Sequence, residues 1–243
     1  MQTPENELRV AVTDCLDRRR TALTETERVV AALRGNVLQP RACAMAVPML
    51  YAVWEGYTKE VLQLYIEFLE KRSLPQQDLK PDMLAYAWSG SFRKLTGNLT
   101  HARKVELIER FLGSLHDTLR FEKAEREVDT KSNLFFDVLE SLAACLCLDV
   151  SRMKAHEKKL DALVNRRNSI AHGGRDQKLS EADVAEYKHL VLALIGDLES
   201  VVLDAVTAGH WKRSSNSAGE RSPRARGIGG VRAVVGRPGA VDW

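Results

Sequence analysis

An all-α fold is what this sequence predicts, on three observations. Apolar residues recur at helical spacing in every long segment, no segment alternates apolar and polar residues as a strand does, and capping residues or glycines punctuate the segments at helix-like intervals. At 243 residues the chain is long enough for one domain with a sizeable core.

From Glu5 to Leu33, the residues Leu8, Val12, Cys15, Leu23, Val30 and Leu33 form the apolar stripe of a first helix, and Gly35-Asn36 ends it. A second helix, from about Arg41 to Arg72, is the most apolar segment and is read as the central, mostly buried one. Its core candidates run from Met45, Val47 and Leu50 through Trp54 and Tyr57 to Tyr65, Phe68 and Leu69, and Pro48 must either begin its regular part or kink it. Leu74-Pro75 to Lys80-Pro81 is a connector, after which Asp82 is expected to cap a helix running to about Leu95.

Gly97-Asn98 breaks the chain, and Thr100 opens a helix with Val105, Leu107, Ile108, Phe111 and Leu112 as its apolar face. The charged stretch Phe121 to Lys131 has no period and reads as a loop, while Leu134 to Leu148 returns to helical spacing. Ser151 is then expected to cap a helix carrying Met153, Leu160, Leu163, Val164 and Ile170, which Gly173-Gly174 terminates with residues able to adopt positive φ. Ser180-Glu181-Ala182-Asp183 resembles a capping box and starts the last helix, striped by Val184, Tyr187, Val191, Leu194, Ile195, Leu198 and Val202. Residues 1–206 are accordingly expected to form one all-helical domain. Residues 207–243, rich in Gly, Ser, Pro and Arg, are expected to be a disordered basic tail, because such a composition cannot offset its ordering entropy.

Charge and reactive residues narrow the function classes. The net charge is +3, but residues 207–243 hold seven cations against two carboxylates, a net of +5, which leaves the helical part at −2. Bulk charge therefore does not make the helical domain a nucleic-acid binder, and any such contact must be local. Cys15, Cys43, Cys145 and Cys147 lack the paired spacing of zinc sites and read as reduced core thiols, the last two on one helix; the six histidines show no metal-binding grouping. No metal and no other cofactor is expected. The first 25 residues lack the apolar block of a signal peptide, and no segment reaches the roughly 18 apolar residues that span a bilayer. A soluble, cytoplasmic protein without membrane association is expected.

The most informative stretch is Arg167-Asn168-Ser169-Ile170-Ala171-His172, followed by Gly173-Gly174. It sets a permanent cation, an amide and a titratable imidazole within two helical turns. Arg167 can offer a forked set of donors to a phosphate and stabilise charge building on phosphorus. His172, with an ordinary pKa near 6.5, can exchange a proton with a ribose 2′-hydroxyl or a leaving 5′-oxygen, a form of catalysis worth about 10² to 10⁴-fold. Asn168 can orient the histidine or bond the phosphate, and Arg166 adds a second cation. The bland alternatives are a helix-terminal histidine that satisfies the last carbonyls and arginines that simply face solvent. Arg167 and His172 are five positions apart, so they diverge by about 140° around a helix axis. One copy of the motif is a poor bowl for a phosphodiester; two copies across a two-fold axis can surround one.

An Arg-x4-6-His motif with a polar residue directly after the arginine resembles that of the HEPN superfamily, small all-helical nucleases and nucleotide binders. Trp54-Glu55-Gly56-Tyr57 with Lys59, Thr130-Lys131-Ser132-Asn133-Leu134, and Leu163-Val164-Asn165-Arg166-Arg167-Asn168 leading into Ile170-Ala171-His172-Gly173 look like the MAE-type bacterial branch, over roughly residues 40 to 205. The resemblance implies a homodimer whose motif helices face each other across a composite cleft. It also implies RNA as substrate and a defence or toxin–antitoxin setting, with an antitoxin or defence-system partner protein. Trp54 and Tyr57 read as core aromatics. Glu55, costly to bury alone, meets Arg167 or Arg166, or else is simply exposed or contacts Lys59. The expected function is a metal-independent endoribonuclease; the alternatives are a non-catalytic module binding nucleotide, RNA or a partner, and a purely structural adaptor.

Overall fold

A computed structural model of the chain describes residues 3–93, 100–173 and 179–213, apart from the side chains of 123 and 124. Helix α1 spans Pro4–Ala32, opened by Thr3, whose hydroxyl accepts from the Asn6 amide. Gly35, at φ 74°, turns the chain into α2, Gln39–Lys71. Pro48 lies inside α2, so it does not begin that helix; lacking an amide hydrogen, it leaves the Ala44 carbonyl without its helical donor. Trp54 and Tyr57 are fully buried in it, as core residues. Helix α2 packs against α1, against α8 (Glu157–Ala171) and against α9 (Glu181–Ala208), which makes it the central element.

Shorter helices complete the fold. They are α3 (Pro81–Ala87), α4 (Ser89–Arg93), α5 (His101–Gly113), α6 (Lys123–Arg126) and α7 (Phe136–Cys145). Among the described residues there is no strand, only two isolated antiparallel bridges, Pro75 with Thr118 and Leu79 with Lys212. The fold is all-α. No helix among the described residues is long and apolar enough to cross a membrane.

Several boundaries differ from those expected, each for a physical reason. Lys80, not Asp82, is the residue before α3, and that helix stops at Ala87 before α4 begins; 94–99, including Gly97-Asn98, lie outside the described residues. Thr100 does cap α5, its hydroxyl accepting from the Arg103 amide. Yet α5 buries no residue completely: Leu107 and Phe111 pack partly, while Val105, Ile108 and Leu112 stay exposed, because periodicity marks an apolar face without supplying a neighbour. The charged stretch 121–131 is no plain loop. It contains α6, and its Glu125 is buried, held by Arg93 at 2.8 Å and by the Ser89 hydroxyl at 2.7 Å.

Ser151 opens a short 3-10 turn, Ser151–His156, and α8 begins only at Glu157. Helix α7 ends at Cys145, so Cys147 is not on it; it sits beyond the end with φ 57°. Ser180 and Asp183 form the expected capping box of α9, each side chain bonding the other's backbone amide. The composition boundary at 206/207 falls inside α9, which runs to Ala208 and is closed by Gly209 at φ 66°. Trp211 then buries its ring against Phe68 and Tyr65, at 5.7 and 6.4 Å, and the Arg213 amide bonds the Asp78 carbonyl. The apolar anchor of Trp211 outweighs the local glycine content. The tail from 214 onward lies outside the described residues.

Candidate functional site

Helix α8 carries the Arg-Asn-x3-His motif on its last two turns, opposite the middle of α2. On α2, Tyr51, Glu55 and Lys59 are spaced four apart and therefore share one face. The third wall is the segment Thr130–Leu134, which connects α6 to α7. Lys131 and Ser132 there both adopt the left-handed region, with φ 51° and 65°. Two adjacent non-glycine residues in that region are unfavourable and persist only where the surroundings fix them. Four anchors do so: Thr130 donates to Glu55 Oε1 at 2.5 Å, the Leu134 amide donates to the Tyr51 hydroxyl at 2.7 Å, Asn133 accepts from Arg167, and Asp161 of α8 accepts from the Phe136 amide at 3.0 Å.

Arg167 is the hub. Its guanidinium lies over the Tyr51 ring at 4.4 Å, a cation–π geometry. Nη1 donates to Asn168 Oδ1 at 2.7 Å and to Asn133 Oδ1 at 3.2 Å, and Nη2 donates to the Ser132 carbonyl at 3.4 Å. Nη2 also lies 4.0 Å from Glu55 Oε2, and a quarter of the arginine side chain remains exposed.

Of the three partners the sequence offered it, Glu55 faces Lys59 and Arg167. Lys59 pairs with it at 3.0 Å and Arg167 at 4.0 Å, with only 15% of the carboxylate side chain exposed. Burial pushes its carboxyl upward, but hydrogen bonds from Thr130 and Lys59, the Lys59 charge and Tyr51 prevail, and the group is held below its ordinary range. Burial likewise pushes the Tyr51 hydroxyl up, so it stays protonated beneath the guanidinium.

The structure thus brings together Arg167, Asn168 and Glu55. It does not bring His172 to them. Helix α8 stays regular through Ala171, and His172 is its C-cap, with its backbone amide on the Asn168 carbonyl at 3.0 Å and its side chain exposed. Among the described residues that imidazole has no hydrogen-bond or ion-pair partner. Gly173 follows with φ 78°, as a helix end requires; Gly174 lies outside the described residues. Arg166 is half-buried on the flank toward α9: the Ser180 hydroxyl and amide hold the Asp183 carboxyl low, and the Arg166 charge adds to that effect.

Tyr51, Thr130, Ser132 and Asn133 join the site without having been assigned a role from sequence. For Tyr51 a signal existed, its four-residue spacing from Glu55; the others lie in the Thr130–Leu134 stretch that carries the family likeness, but nothing local shows which helix that segment touches. No group of three or more His, Cys, Asp or Glu among the described residues is placed to hold a metal ion. The arrangement can hold one oriented guanidinium at a partly open surface and present an imidazole separately.

No curated protein and no solved structure matches the chain. A family model does: residues 15–204, which contain all three walls of this site, match RiboL-PSP-HEPN. With most of its length matched to that model and an all-α architecture, the chain belongs to the RiboL-PSP-HEPN family of the HEPN superfamily.

Proposed function

We propose that this protein is a metal-independent endoribonuclease that cuts RNA by attack of the 2′-hydroxyl, in a cleft completed by a second copy of the chain. The observation that carries the reading is the built environment of Arg167. Its ring support, its two asparagine acceptors and the buried carboxylate behind it fix a cation at a surface, which is what a developing phosphorane charge requires. In the reaction His172 of one copy takes the 2′-hydroxyl proton, the oxygen bonds to phosphorus, and the P–O5′ bond breaks as the protonated His172 of the other copy delivers its proton to the leaving oxygen. The products are a 2′,3′-cyclic phosphate and a 5′-hydroxyl. Since Arg167 and His172 diverge within one protomer, the histidine serves the arginine of the other copy. The likeness to the MAE-type branch supports a cytoplasmic role in bacterial defence or a toxin–antitoxin pair, with an antitoxin as partner.

A second reading is favoured by one specific fact. Arg167 already donates to Asn133, Asn168 and Ser132, so its remaining donors suit holding a phosphate as readily as driving its cleavage. On that reading the chain is a HEPN module that binds RNA without cutting it.

The deciding assay incubates purified protein, with EDTA present, with total RNA and separately with single-stranded DNA, comparing wild type with His172→Ala. Cleavage predicts cyclic-phosphate RNA ends from the wild type alone and intact DNA. Intact RNA throughout, with binding weakened by Arg167→Ala, establishes the binding module instead.

A further inference from the structure

Of the nine large apolar side chains exposed among the described residues, four line one groove: Val29 on α1, Leu38 just before α2, and Met45 and Met49 on α2. The groove has a volume of about 570 Å³. Met45 and Met49 are 62% and 59% exposed, and with half-buried Pro48 and exposed Ala52 they form a strip at three- and four-residue spacing. Helix α2 contacts α1, α6, α8 and α9, and among the described residues this strip is an apolar part of its surface that stays exposed. A contiguous apolar strip on a central helix marks an interaction face.

The charges on its walls identify the occupant. Glu25 stands on the α1 wall and Arg41 on the α2 wall, both exposed, and neither has an ion-pair or hydrogen-bond partner among the described residues. Two neighbouring pairs close within the chain, Arg34 with Glu181 at 2.6 Å and Lys188 with Glu27, while Arg28 of α1 lines a different pocket. One unpaired acid and one unpaired base flanking an apolar strip make the surface complementary to itself. A two-fold axis through the groove sets Glu25 of each copy against Arg41 of the other. Ala52 lies one residue from Tyr51 and three from Glu55, so a copy seated here adjoins the Arg167 cleft.

We propose that the α1–α2 groove is the face through which two copies of this chain associate. The inference rests on the reading that one protomer holds an incomplete site. Methionine suits such a face, since its flexible thioether fills irregular gaps.

Light scattering and sedimentation on the full chain test it. The wild type is expected to be a dimer and the variant with Met45→Glu and Met49→Glu a monomer with unchanged helical signal. Glu25→Arg and Arg41→Glu are each expected to weaken association by about tenfold, and the two together to restore it to within about threefold. That restoration does not depend on the methionine variant folding. A monomeric wild type, or charge reversals that fail to compensate, overturns the proposed face. RNA cleavage is followed in parallel. A monomeric methionine variant that still cuts RNA sinks the composite site and leaves the face standing, whereas a dimer indifferent to every substitution sinks the face alone.

Discussion

The Arg167 guanidinium sits 4.4 Å above the ring of Tyr51, and the hydroxyl of that same tyrosine receives the Leu134 amide at 2.7 Å. One buried side chain therefore supports the motif arginine and ties down the segment that supplies Asn133. The two functions separate by mutation. Tyr51→Phe keeps the ring and strands a buried amide, so urea unfolding should register a loss of about 1–3 kcal/mol, with RNA binding retained. Tyr51→Leu removes the support as well, and should lower both stability and RNA affinity. Equal RNA affinity in the two variants would show that the ring contributes nothing to Arg167.

Arg167→Lys conserves charge but not the fork. An ammonium cannot span Asn168 and Asn133 while lying flat on Tyr51. We expect about 1–2 kcal/mol of stability to be lost, at about 0.5–1.5 kcal/mol per hydrogen bond, together with most RNA cleavage or binding. Thermal melts and a filter-binding titration check both halves; a lysine variant with wild-type affinity would reduce the arginine to a point charge.

Glu55 should make stability depend on acidity. Its folded carboxyl lies below the ordinary value of 4.5, despite burial, because Thr130 and Lys59 hold the ionised form. Folding thus favours the carboxylate. The contribution is complete above pH 4.5 and is lost as pH falls through the lower folded value. The stability advantage of wild type over Glu55→Gln, from denaturant melts between neutral pH and pH 3, should therefore shrink on acidification. A constant difference would contradict the assignment.

Gly173 ends α8 directly after His172, at φ 78°. Alanine there is strained by about 1 kcal/mol or more, whereas asparagine tolerates the left-handed region better. Gly173→Ala should lower the melting temperature more than Gly173→Asn does. The reverse order would mean that the turn is not set by backbone conformation.

The all-α class, the central place of α2, the Thr100 and Ser180 caps and the glycine after His172 were all legible in the sequence, because each rests on local chemistry. The errors arose where a neighbour decides. Trp211 reads as the start of a glycine-rich tail until Tyr65 and Phe68 are seen around it. Glu125 reads as loop charge until Arg93 and Ser89 enclose it. The apolar residues of α5 read as a buried face, yet three of them have no cover among the described residues.

The candidate site divides along the same line. The sequence by itself determined the residue types and the divergence of Arg167 from His172, since a helix fixes the angle between positions five apart. Only the tertiary structure decided that Tyr51, Ser132 and Asn133 surround the arginine, that Thr130 bonds Glu55, and that Glu55 meets Arg167 as well as Lys59. Lys59 is one helical turn from Glu55, but the contacts of Arg167 with Tyr51 and Glu55 join residues more than 100 positions apart, which helical periodicity cannot relate, and they arise when burying the apolar face of α2 brings α8 and the 130–134 segment onto one surface.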